Sequence, residues 1–286
     1  MIKFVLSLFL LILFVNFSYA TDNQEAKRQM RVYLQDLFKS TSDAEKDSVN
    51  RLFLNYMKET LSNQETFAQT FDSLPHIGVL MAPDDKFRIF NWNIQYSNGT
   101  YKYFGFIQNY NEKGAYVLTQ LTDRSDEISD PETAQLAPEN WFGALYYEII
   151  PFKDDENDYY ALLGWDGNND FSKKKIIEIM YFNKSGISKF GKAVFKMENK
   201  RCKRVIFEYS YLANMMLTYN RNLKMIVFDH LAPPKPSLTG NFKFYGPDFT
   251  HDGLKFSKGK WVLVPNLDVR NQKVKKDKPK KLSLTF

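Results

Sequence analysis

Cysteine occurs once, at Cys202, so no disulfide can form within the chain and stability has to come from packing, helped at most by metal. With Lys200, Arg201, Lys203 and Arg204 around it, that thiol is expected to be a small buried hydrophobe rather than a reactive group. Histidine is nearly as scarce, at His76, His230 and His251, and no H-E-x-x-H or other paired-histidine spacing occurs, which excludes the common zinc hydrolases. The G-x-S-x-G, G-x-x-x-x-G-K-[ST] and G-x-G-x-x-G patterns are also missing, so serine hydrolase, P-loop and dinucleotide-binding readings have no support. Beyond residue 21 no apolar run approaches the roughly 20 residues a transmembrane helix needs.

The first 20 residues do carry a pattern. Lys3 gives a positive start, Phe4 to Val15 is apolar apart from Ser7, and Ser18-Tyr19-Ala20 places small residues three and one positions before a cut. This predicts a signal peptide at 1–20 and a mature chain beginning at Thr21, hence an exported protein that is periplasmic, attached to the cell envelope or secreted.

The formal net charge of +6 suggests nucleic acid, but its location does not. Residues 273–286 hold six Lys against one Asp, so the body is near neutral and the charge is a C-terminal tail. Such a tail suits contact with an anionic surface; a nucleic-acid partner is not expected, because a groove tracking phosphates needs its cations on the folded body.

The pattern predicts an α+β protein, mainly antiparallel β. Met30, Leu34, Leu37 and Phe38 lie at helical spacing, as do Val49, Leu52, Phe53, Tyr56, Met57 and Leu61. Ser42 with Glu45, and Ser62 with Glu65, each fit a capping box, and Phe67, Phe71 and Leu74 extend to a third short helix. Two or three amphipathic helices therefore fill 21–77. A β-rich domain over 78–272 follows, with strands from Lys86 and a type I′ hairpin turn at Ser97-Asn98-Gly99-Thr100. Segment 123–140, with six acids, one Arg and two prolines, reads as an internal boundary or a surface excursion. Strands are expected again at 141–152, 159–165, 175–182, 192–197, 204–211, 216–219, 223–228, 241–245 and 260–265. Runs such as Ile176 to Phe182 are apolar on both faces, so they must be covered twice, as in a sandwich. Tyr103-Phe104-Gly105-Phe106 and Leu162-Leu163-Gly164-Trp165 hint at a repeated hairpin, which keeps a propeller-like body open.

Two loops are candidates for chemistry. Asp166-Gly167-Asn168-Asn169-Asp170 sets oxygen side chains at alternate positions, so Asp166, Asn168 and Asp170 could ligate calcium, a hard cation needing six to eight oxygens. Phe171 and Ile177 stand where an EF-hand requires Gly and Glu, and the same residues are ordinary turn vocabulary. Asp248-Phe249-Thr250-His251-Asp252-Gly253 spaces its acids the same way. Were the loops to meet, Trp165, Asp166, Asn168, Asp248, His251 and Asp252 would form a binding site. Asp229 beside His230 offers no direct pair, since strand neighbours face opposite sides. Asp154 to Asp158 reads as a solvated hairpin tip, and most of the four Trp, 17 Tyr and 25 Phe as core.

The stretch from Trp141 to Asn271, with Gly164-Trp165-Asp166-Gly167-Asn168, Phe228-Asp229-His230-Leu231 and Tyr245-Gly246-Pro247-Asp248, resembles an uncharacterised family of secreted bacterial proteins. The resemblance implies export from a bacterial cell and assigns no activity. The expectation is thus an exported, non-catalytic β-rich binding or structural protein of the bacterial cell envelope, with an envelope ligand or protein as partner and without a cofactor unless calcium. The alternative is an envelope hydrolase acting through Asp166, Asp170, Asp248 and Asp252, either calcium-dependent or directed at a glycan, whose hydrolysis needs two carboxyls at controlled separation.

Overall fold

The computed structural model describes residues 24–71, 74–197 and 200–268. The signal peptide expected at 1–20 and the basic tail expected at 273–286 lie outside the described residues. Helix α1 covers 24–39 and helix α2 covers Asp43–Ser62. Ser42 caps α2 by accepting the Glu45 amide, while the Glu45 carboxylate accepts from the amide of Thr41. The second capping box is displaced by one residue: Ser62 still belongs to α2, and Asn63 accepts the Glu65 amide to start a 3₁₀ turn at Gln64–Ala68. Among the described residues no third α-helix follows. The carbonyls of Thr66 and Gln69 accept from the buried Arg88 guanidinium, so a tertiary donor takes acceptors that a helix would have used.

Strands β1 (Gly78–Met81), β2 (Phe87–Gln95), β3 (Tyr101–Tyr110) and β4 (Tyr116–Thr122) form a sheet in sequential order. The chain continues through β5 (Leu145–Asp154), β6 (Asn157–Asp166), β7 (Ser172–Phe182), β8 (Ser188–Phe190), β9 (Phe195–Met197), β10 (Lys200–Cys202) and β11 (Arg204–Ser210). It ends with β12 (Leu217–Asn220), β13 (Met225–Ala232), β14 (Gly246–Ser257) and β15 (Lys260–Val264). A middle sheet runs β11-β7-β6-β5 with β8 beside β7, and a third runs β10-β9-β15-β14-β13-β12. Among the described strands pairing is antiparallel except where β15 meets β9 in parallel, with Trp261 opposite Phe195; the isolated Asp123–Trp141 bridge is parallel as well.

The period of two along each strand builds the layers. On β7, Ile176 and Met180 face the first sheet while Ile177 and Ile179 face the third. On β2, Phe87 and Ile89 face the middle sheet while Phe90 and Trp92 face the helices. The outcome is a stack of helices and three sheets, sandwich-like rather than radial, with a core in each gap. The doubly apolar strands form the middle sheet, covered on both faces as their composition requires. Among the described residues no helix is long and apolar enough to cross a membrane.

Three local readings change. The 96–100 turn is a three-residue loop: Asn98 keeps a negative φ, and Gly99 at φ +81 takes the left-handed position. Asp43 of α2 holds it there by accepting from the Ser97 amide at 3.0 Å and hydroxyl at 2.6 Å. Residues 242–244 form a 3₁₀ turn instead of a strand. Residues 248–253, read as a turn, lie inside the longest described strand, β14, which is bulged between Asp229 and Leu231 of its partner and carries Phe249 at φ 70. Segment 123–140 is an excursion pinned by the Leu136–Phe190 bridge and by the Asp123–Trp141 bridge.

Candidate functional site

The expected turn site divides among separate partners. Asp166 is 6% exposed and accepts from the Tyr103 hydroxyl and the Asn168 amide, at 2.7 and 2.8 Å. Asn168 sits at φ 54, donates to the Ser172 hydroxyl and accepts from the Lys174 ammonium at 2.7 Å. That ammonium also lies 3.9 Å from Asp166. Asp170 instead packs its carboxylate against Gly99, where a Cβ would lie 2.3 Å from Oδ1. Trp165 meets Tyr101 edge to face at 5.7 Å and lines a separate depression with Tyr147, Asn93 and His76.

On β14, Asp248 accepts from the Thr250 amide and hydroxyl, which hold its carboxyl below the usual range. His251 lies 3.3 Å from Asp229, and Asp252 lies 2.7 Å from His230 and accepts from the Asn266 amide. The two loops therefore do not converge. Among the described residues no group of three His, Cys, Asp or Glu side chains gathers closely enough to hold a metal. The register sets Asp229 directly opposite His251, whereas Asp252 stands opposite Phe228 and reaches His230 diagonally, next to the bulge.

Burial pushes the Asp166 carboxyl up, against the opposing pull of Lys174 and of its hydrogen bonds. A raised carboxyl pKa means the fold retains a proton that the unfolded chain releases, so this group's contribution to stability falls as pH rises above about 4. Asp166→Asn is expected to flatten that slope. Tyr103→Phe removes the hydroxyl that serves both Asp166 and the Gly167 amide, and a cost of about 1–3 kcal/mol in urea unfolding is expected.

The site that sequence reading missed lies at the other end of the sheets. Four turns approach one another there: 82–86, 110–116, 154–157 and 182–188. Two of them are built alike. Asn111 and Asn183 each accept two amides of their own loop, and Gly114 and Gly186 each donate back to the Asn carbonyl. This N-x-x-G spacing was visible in the sequence; its convergence was not. Between the turns runs a groove of about 560 Å³. Tyr110, Tyr181 and Phe182 form its aromatic wall. At its rim the Lys86 ammonium bonds the Asp158 carboxylate, which holds that acid below its ordinary range, and lies 3.7 Å from Asp84. Tyr160 donates to Asp84 at 2.8 Å, fixing the 82–86 turn on β6. Asn109 also lines the groove.

Comparison of the chain with protein-family models, curated proteins and solved structures finds no match.

Proposed function

We propose that this is a non-catalytic binding protein exported to the bacterial cell envelope, with its ligand in the groove between the 110–116, 154–157 and 182–188 turns. The observation that carries the reading is the groove itself. Its volume of about 560 Å³ lies within the span of roughly 300–1,000 Å³ usual for small-ligand sites, and aromatic rings, amides and carboxylates share its walls. The leader pattern at 1–20 and the resemblance of 141–271 to secreted proteins support export. A hydrolase would need two carboxyls aimed at one bond, whereas Asp166, Asp170, Asp248 and Asp252 each serve a local partner.

Export is tested by fractionating the cells that make the protein and sequencing its N-terminus. Thr21 as first residue, outside the cytosol, is expected; the intact chain in the cytosol overturns it. Binding is tested by native mass spectrometry of protein isolated gently from the envelope. A small-molecule adduct is expected on the natural protein and not on Asn157→Trp, which fills the groove from an exposed position. An adduct retained by that variant, or absent from both proteins, counts against the groove.

A further inference from the structure

Resting on the groove as the ligand seat, we infer that it takes an organic cation bearing ammonium or guanidinium N–H groups. Three observations meet at this one place. The first is charge. Asp85, Glu112, Glu156 and Asp158 line the groove against a single cation, Lys86. Lys86 is bonded to Asp158, which leaves the carboxylates of Asp85, Glu112 and Glu156 to face an incoming molecule. A cleft lined by one sign of charge concentrates ligands of the other.

The second is an acceptor without a donor. Asn109 is 2% exposed, and its Nδ2 donates to the carbonyl of Gly186, itself part of the groove wall, at 2.9 Å. Its Oδ1 has no hydrogen-bond partner. Buried acceptors are nearly always satisfied, so an orphan one at the wall of a groove calls for a donor from outside. An ammonium or guanidinium group carries only donors, and so meets both the carboxylates and this oxygen.

The third is the wall. Tyr110 is 42% exposed, and Tyr181 and Phe182 are half-buried beside it in the groove. Aromatic faces attract cations through their ring quadrupole. The protein already uses this chemistry next to the groove, on the side of the middle sheet that packs against the third: the Lys192 ammonium lies 3.5 Å from the centre of the Tyr159 ring, held by Asp154 at 2.9 Å. A neutral sugar would also stack on the rings, but it would leave the three carboxylates uncompensated.

Titration calorimetry of the whole mature protein with spermidine, with trilysine and with maltotetraose decides the matter. The variants are Asn157→Trp and the triple change Asp85→Asn, Glu112→Gln, Glu156→Gln. All three carboxylates are exposed, and Asn tolerates the φ of 56 at residue 85, so the fold is kept. Circular dichroism and melting temperature verify this. The expected result is that spermidine or trilysine binds, that the triple change weakens binding about tenfold or more, that Asn157→Trp abolishes it, and that added salt weakens it. Binding of spermidine alone identifies a free polyamine as the source, and of trilysine alone a basic peptide. Binding of maltotetraose that survives the triple change but not Asn157→Trp overturns the cationic ligand and leaves the groove reading standing. Failure of all three probes, or binding untouched by Asn157→Trp, overturns both.

Discussion

Arg204→Met is expected to destabilise the protein by about 3–5 kcal/mol, because it leaves a carboxylate buried without its cation. Arg204 on β11 stands opposite Glu178 on β7, and both side chains are fully buried in contact with each other. The guanidinium also donates to the Pro131 carbonyl and lies 5.3 Å from the Phe142 ring centre, so it ties the 123–140 excursion to the middle sheet. Glu178 accepts from the Ile179 amide at 3.0 Å as well. Burial pushes the Glu178 carboxyl above its ordinary value near 4.5, and the largest opposing pull comes from Arg204.

In the variant that pull is gone and the carboxyl rises further. The folded variant then keeps a proton that the unfolded chain gives up, so its stability is highest at or below about pH 4 and declines as pH rises through the folded pKa. Urea unfolding at pH 4 and pH 7 reads this directly: the deficit relative to the natural protein is expected to shrink at pH 4. Joining Glu178→Leu to Arg204→Met removes both desolvation costs, and recovery of most of the lost stability is expected. A deficit under 1 kcal/mol for Arg204→Met alone would show that the pair does not hold the excursion.

Trp92→Ala is expected to cost a similar amount, about 3–5 kcal/mol, by opening a cavity between the helices and the first sheet. Trp92 is 1% exposed, meets Phe53 of α2 edge to face at 4.9 Å and stacks with Phe104 at 5.8 Å. Its Nε1 donates to Asn50 Oδ1 at 2.8 Å, so truncation also strands an amide that is 4% exposed within α2. The readouts are the urea midpoint and amide exchange along α2, which is expected to speed up ahead of the middle sheet. Equal acceleration in both elements would mean that helices and sheets open as one unit. Trp92→Phe combined with Asn50→Ala separates the roles, since the hydrogen bond alone is worth about 1 kcal/mol and the ring the rest.

The helix and strand elements were legible because each rests on a short-range rule. Asn50, Phe53, Met57 and Leu61 are buried at helical spacing, although Leu52, placed on that face by the sequence, is 53% exposed. The middle sheet could be foreseen from Ile176 to Phe182, since a strand apolar on both sides has no stable place except between two layers. Strand β14 was hidden by its composition. Asp248, Thr250 and Asp252 are turn residues by vocabulary, yet β13 pairs with His251 and Asp252 on one side of the bulge and with Gly246 and Pro247 on the other. Propensity yields there to tertiary pairing.

The sites divide in the same way. Asp229-His230 and His251-Asp252 meet through the register of β13 and β14, which is set by the strands as neighbours and not by the two dipeptides. The groove could not be read at all: its carboxylates and rings come from four turns that are far apart in the chain and brought together by the stacking of two sheets. By itself the sequence determined a disulfide-free α+β chain with a shielded central sheet, because periodicity and cysteine count are local facts. Only the tertiary structure decided which acids share a cleft, because side chains from different turns acquire a common neighbourhood when the layers pack, and no spacing along the chain encodes that distance.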